Sequence, residues 1–169
     1  MKRYSIILLT LLVVNYVFSA PSAMQIERMQ MKKQYLEAME AATAMLSDNP
    51  ESRWAIDFVH KHWDKTMRIT NNRLAELTDP DDRQQSLERS YIYQMLNNIN
   101  DNLRTVPMPL YGPNQKWAWQ PEISYYEGHY NAEHKNAVKL FQDAMQQAVV
   151  QEDTIMIDQL KADSLRWRL

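Results

Sequence analysis

Beyond residue 24 the apolar positions recur every three to four residues and nowhere alternate for long, so the chain reads as a succession of amphipathic helices. Tyr35, Ala38, Met39, Ala42, Met45 and Leu46 share one face of a helix predicted over residues 25–46. Ser47-Asp48-Asn49-Pro50 ends it, and Pro50, which lacks an N–H, suits the opening of the next helix. That helix is predicted over 51–77, with Ala55, Phe58, Val59, His62 and Thr66 or Met67 along its stripe and weak helix formers at Thr70-Asn71-Asn72, where a kink is expected. Thr78 to Asp82 supplies a cap, a proline and acids suited to a positive helix end. A third helix over 80–103 carries Leu87, Tyr91, Met95, Leu96, Ile99 and Leu103 on its apolar edge.

The pattern then changes. Residues 104–121 read RTVPMPLYGPNQKWAWQP, and prolines at 107, 109, 113 and 121 forbid a continuous helix. The segment also holds Val106, Met108, Leu110, Tyr111, Trp117 and Trp119, too apolar for a free linker, so a long ordered loop packed across the helices is expected. Helices are predicted again over 122–130, 132–150 and 154–167, with Gly128 and Asn131 marking a break between the first two. Ala137, Leu140, Phe141, Ala144 and Ala148 form the cleanest stripe, and Ile157, Leu160 and Trp167 lie on the last helix. The apolar end at Leu169 suggests docking onto the body or a partner. Together these elements give an all-α fold of antiparallel helical hairpins, either a repeat-like array or a plain helical bundle.

Composition supports this. The chain holds two glycines, Gly112 and Gly128, too few for the turns of a strand-rich protein. The first residues differ in kind: Lys2 and Arg3, an apolar run over 6–14 broken only by Thr10, Val17-Phe18, then small residues around Ser19, Ala20, Ser22 and Ala23. This is the order of a secretory signal peptide, with cleavage after Ser19 or Ser22, and the run is well short of the roughly 20 residues a spanning helix needs. The expected organisation is a leader over 1–22 and one helical domain over 23–169, secreted or periplasmic. Without Lys2 and Arg3 the mature chain carries 17 basic against 21 acidic residues, a net charge of −4. No basic block supplies a footprint for nucleic acid or a polybasic membrane face, and no stable membrane insertion is expected after leader removal. Cysteine is absent, which excludes a thiol nucleophile. A Cys-free exported chain fits a bacterial envelope.

Two pieces resemble tetratricopeptide repeats. Ala137, Phe141 and Ala144 keep that pattern's small, large and small residues at spacings of four and three. Ala38, Ala42 and Met45 keep the spacing too, with Tyr35 upstream and Pro50 where the closing proline falls, although Ala42 replaces the large residue. The resemblance implies a non-enzymatic scaffold that presents a concave face to a peptide or partner domain. Leu77-Thr78-Asp79 followed by Gln84-Gln85 is similar to the helix start of small periplasmic chaperones of the Spy type, which implies client binding as an alternative.

Candidate chemistry is sparse. His60 and His62 lie two apart and His129 and His134 five apart, both poor spacings for sharing an ion on one helix face. A His-based metal protein or enzyme remains a rival reading, testable only by whether the two pairs meet in space. No Gly-x-Ser-x-Gly elbow and no glycine-rich phosphate cradle occur. No cofactor, metal site or catalytic residue is expected. Tyr111, Trp117, Trp119, Tyr125, Tyr126 and Tyr130 concentrate aromatic surface with polar handles within twenty residues and are the candidate partner-binding set, the partner being another protein or peptide.

Overall fold

A computed structural model describes residues 21–122, 124 and 126–167 of the chain, with the side chains of 166 and 167 excepted. The leader reading over residues 1–20, the side chain of Trp167 and the terminus at Leu169 lie outside them. The described chain is all-α: α1 (Ala23–Met31), α2 (Tyr35–Asp48), α3 (Arg53–Glu76), α4 (Arg83–Arg104), α5 (Glu127–Val150) and α6 (Thr154–Trp167), with a small hairpin of β1 (Leu110–Tyr111) and β2 (Ala118–Trp119) between α4 and α5.

The α2 helix is the centre of the molecule. Leu36, Ala38, Met39, Ala41, Ala42, Thr43 and Leu46 are all buried, far more than one stripe, because α1, α3 and α4 each cover part of its circumference. Small residues at 38, 41 and 42 let these neighbours approach closely. One seam is polar and runs in register: Tyr91 Oη donates to Glu37, Asn98 to Glu40 and Asn102 to Thr43, while Ser47 and Thr105 share a hydrogen bond at 2.8 Å. The ascending order of both partners shows that α2 and α4 run parallel. The α3 helix returns antiparallel to α2, and α3 meets α4 chiefly where Arg73 clasps Glu88 through Nε and Nη2 at 2.6 and 2.7 Å. The α5 helix runs antiparallel to α4, fixed by Arg89 to Glu133 and Asn136 to Ser86. The α6 helix folds back against α5, burying Leu160 completely and placing Asp163 within reach of Gln84 and Arg83.

Several boundaries differ from expectation. The helix predicted over 25–46 is two helices. Lys33 adopts φ 64°, its N–H bonds Gln30 O, and the Gln34 N–H bonds Met29 O. Those two bonds form a Schellman cap with lysine in the left-handed position usually held by glycine. Glu152 does the same between α5 and α6, with φ 53° and the Asp153 N–H on Ala148 O. Both turns are thus made without glycine. Lys33→Gly is expected to raise stability by about 0.5–1 kcal/mol, read as a higher urea midpoint, since glycine carries no steric penalty there.

Pro50 does not open α3; it lies in the turn, and Ser52 caps the helix by accepting from the Ala55 N–H. Likewise α4 begins after Asp82, whose carboxylate accepts from the Gln85 N–H. No interruption occurs at Thr70-Asn71-Asn72, because Thr70 is buried and α3 continues to Glu76. Nor is there a helix before Tyr126: the described residues of 121–126 are non-helical, and α5 runs unbroken through Gly128 and Asn131.

Candidate functional site

The loop after α4 is ordered, as its apolar content requires. Val106 and Leu110 enter the main core, and Met108, Trp117 and Trp119 pack against it. Asn114 and Gln115, both at positive φ, turn the chain between the strands, so that Leu110 pairs with Trp119 and Tyr111 with Ala118. The Gly112 N–H extends the ladder to Trp117 O at 3.0 Å. Gly112 has ordinary dihedrals; its role is space. A Cβ there would stand 2.2 Å from the Trp117 indole. That indole stacks on His60 of α3, with centroids 3.9 Å apart and planes 16° from parallel. Trp119 meets Trp63 edge-on at 5.6 Å. The hairpin is therefore pinned to α3 by aromatic contacts.

Between this hairpin and the α2–α3 turn lies a cleft of about 1130 Å³. Ile56, Met108, Pro109 and Leu110 contribute apolar lining, Asp48, Glu51 and Arg53 stand on one wall, and Tyr111 stands on the other. Tyr111 remains 50% exposed.

The six aromatic residues singled out from the sequence do not form one surface. Tyr111, Trp117 and Trp119 belong to the hairpin against α3. Tyr126 and Tyr130 lie beside α4, where Tyr126 tilts against Tyr93 and Tyr130 against His134. Tyr125 lies outside the described residues. Trp117 and Trp119 are half-buried and serve mainly to hold the hairpin, which leaves Tyr111 as the hairpin's displayed aromatic. The opposing wall at Asp48, Asn49, Pro50 and Ile56 was not identified from the sequence; a turn some sixty residues upstream carries no local mark of facing this loop.

The histidines have separate partners. His60 stacks on Trp117, His62 Nδ1 bonds the Gln30 amide at 3.0 Å, His129 stacks on Tyr93 at 5.2 Å, and His134 meets Ser90 and Tyr130. Among the described residues no group of three or more His, Asp or Glu side chains is placed to share an ion. Burial first, then the charges of Lys61 and Lys65, hold the His62 pKa below its usual 6.5. The unfolded chain therefore takes up this proton at higher pH than the folded one. Stability from His62 is full above pH 6.5 and lost as pH falls through the folded value. An NMR titration of His62 is expected to show a midpoint below 6.5, and a midpoint above it would contradict the burial argument.

The chain matches no protein-family model, and comparison with curated proteins and with solved structures returns no match. Among the described residues no helix is long and apolar enough to cross a membrane.

Proposed function

We propose that this protein is a non-enzymatic binding scaffold, exported to a bacterial envelope, that docks an extended segment of another protein in the cleft between the α2–α3 turn and the aromatic hairpin. The observation that carries this reading is the exposed Tyr111 on a hairpin held rigid by Trp117 and Trp119, beside an apolar-floored cleft. A pre-ordered aromatic pays little conformational entropy on binding and makes an efficient anchor. The helix pairing adds support. The α2 helix packs on α3 and on α4, α4 packs on α5, and α3 and α4 touch little, an order that suits stacked hairpins of tetratricopeptide type.

A photoreactive residue at position 111 tests the proposal. In the native envelope fraction it is expected to capture one protein that is not captured from position 139, on exposed Lys139 of α5. Tyr111→Ala is expected to weaken that partner by about 2 kcal/mol, roughly thirtyfold, with unchanged circular dichroism. Identical adducts from both positions, or a stoichiometric metal or substrate turnover in purified protein, would displace the scaffold reading.

A further inference from the structure

A second concavity lies between α4 and the start of α5, and its chemistry differs from that of the cleft. It encloses about 310 Å³ and shares no residue with the cleft. That volume is at the lower end of the roughly 300–1,000 Å³ typical of small-ligand sites. Gln94 and Asn97, one turn apart on α4, face Asn131 across it, and none of these three amides has a hydrogen-bond partner among the described residues. Asn98 lines the same wall, with its Nδ2 committed to Glu40 and its carbonyl oxygen uncommitted. Tyr126 and Tyr130 also line it; each is half-buried and backed by another ring, Tyr93 at 6.1 Å and His134 at 5.3 Å.

We infer that this groove is a binding site for a neutral pyranose oligosaccharide. A primary amide offers a donor and an acceptor in one plane, which matches adjacent hydroxyls that each donate and accept. Three such groups converge without satisfying one another. A tyrosine ring held in place by a neighbour presents a flat apolar face to the C–H bonds of a sugar ring and a hydroxyl to its edge. Of the charged lining residues, Arg104 bonds Asp101 at 3.0 Å and Glu127 adds a second carboxylate, so the lining offers an anion no unengaged cation. Nor does the groove have the apolar floor that an amphipathic helix would need.

The full-length mature protein, titrated with cellotetraose and separately with the tetramer of N-acetylglucosamine, tests the inference by NMR. At least one sugar is expected to shift the side-chain amides of Gln94, Asn97 and Asn131 saturably. Asn97→Ala is expected to weaken binding about tenfold, the effect of losing one well-placed hydrogen bond. Asn97 is half-buried and bonds no protein group among the described residues, so this variant should keep the wild-type fold, with its amide spectrum as the check. Tyr130→Ala is expected to lower affinity at least as much and Tyr130→Phe less, while Tyr111→Ala leaves sugar binding unchanged and so separates this site from the cleft. Absence of shifts with either sugar at about 20 mM, a concentration that would reveal even millimolar binding, overturns the inference. So does saturation of the same amides by an unstructured neutral peptide but by neither sugar.

Discussion

Replacing Arg89 by alanine is expected to lower global stability by about 3 kcal/mol, a large share of the 5–15 kcal/mol typical of a domain. Arg89 is 7% exposed on α4. Its Nη1 donates to Leu77 O and Asp79 O, both at 3.0 Å, which ties down the α3–α4 connection. Its Nε donates to Glu133 Oε2 at 2.9 Å, which ties the same point to α5. Removing it leaves the buried Leu77 carbonyl, and the part-buried Asp79 carbonyl and Glu133 carboxylate, without this donor, and the penalty at the buried carbonyl exceeds the net worth of its bond. Arg89→Lys is expected to recover only part of the loss, since one ammonium cannot reach both carbonyls and Glu133 from the guanidinium's fixed fork. Nη2 is buried without a partner among the described residues, so even the native arrangement is incompletely satisfied there. Arg89→Met combined with Glu133→Leu removes the orphaned carboxylate but leaves the Leu77 and Asp79 carbonyls unpaired, so it should recover only part of the loss. Urea denaturation of the three variants decides the matter; an Arg89→Ala loss below about 0.5 kcal/mol would show that these bonds add little.

The helical class and most helix extents were legible because an apolar period of three to four persists wherever a helix has a buried face. The α6 helix matches the predicted 154–167, and α4 starts after Asp82, inside the segment expected to cap it, whereas the Ser52 cap of α3 was missed in favour of Pro50. Breaks were harder to read. The turn at Lys33 is invisible to a search for glycine or proline, because the packing of α1 against α2 and α3 holds a lysine in a left-handed conformation. Thr70-Asn71-Asn72 errs the other way: low propensity suggests a kink, and burial of Thr70 with the Arg73–Glu88 clasp keeps the helix intact. Between α4 and α5 the first half of the helix predicted over 122–130 gives way to irregular chain, while 127–130 open α5. Pro121 is buried there, and the Asn100 side chain satisfies Ser124 O, so tertiary contacts replace helical hydrogen bonds.

Aromatic density along the sequence grouped residues that the structure divides between two surfaces. Tyr111 and Tyr130 are only nineteen positions apart, yet the chain crosses from the α3 side of the molecule to the α4 side between them. Sequence proximity therefore merged two concavities of unlike lining. The amides of Gln94 and Asn97 carry no sequence signal either, since a polar helix face reads as ordinary solvated surface until a second helix is known to stand opposite.

The hairpin's dependence on one missing methyl group gives the other large expected effect. Gly112→Ala is expected to destabilise the hairpin by about 2–3 kcal/mol, because the new Cβ would overlap the body of the Trp117 indole and not a movable tip. The indole cannot retreat without leaving its stack on His60, and the Gly112–Trp117 ladder bond sits at the same point. Near-ultraviolet dichroism and tryptophan emission should report release of the indole while far-ultraviolet helicity changes little, since α1 to α6 make their contacts elsewhere. The mechanism makes a sharper demand on the double variant. With Trp117 already replaced by alanine, the obstruction is gone, and adding Gly112→Ala should be nearly neutral, giving a coupling of about 2 kcal/mol in a double-mutant cycle. Additive losses would instead mean that alanine at 112 acts through the backbone. Because Tyr111 precedes Gly112 on the same strand, Gly112→Ala should also scatter the exposed tyrosine and weaken cleft binding about as much as Tyr111→Ala itself, without removing a single atom from the contact surface.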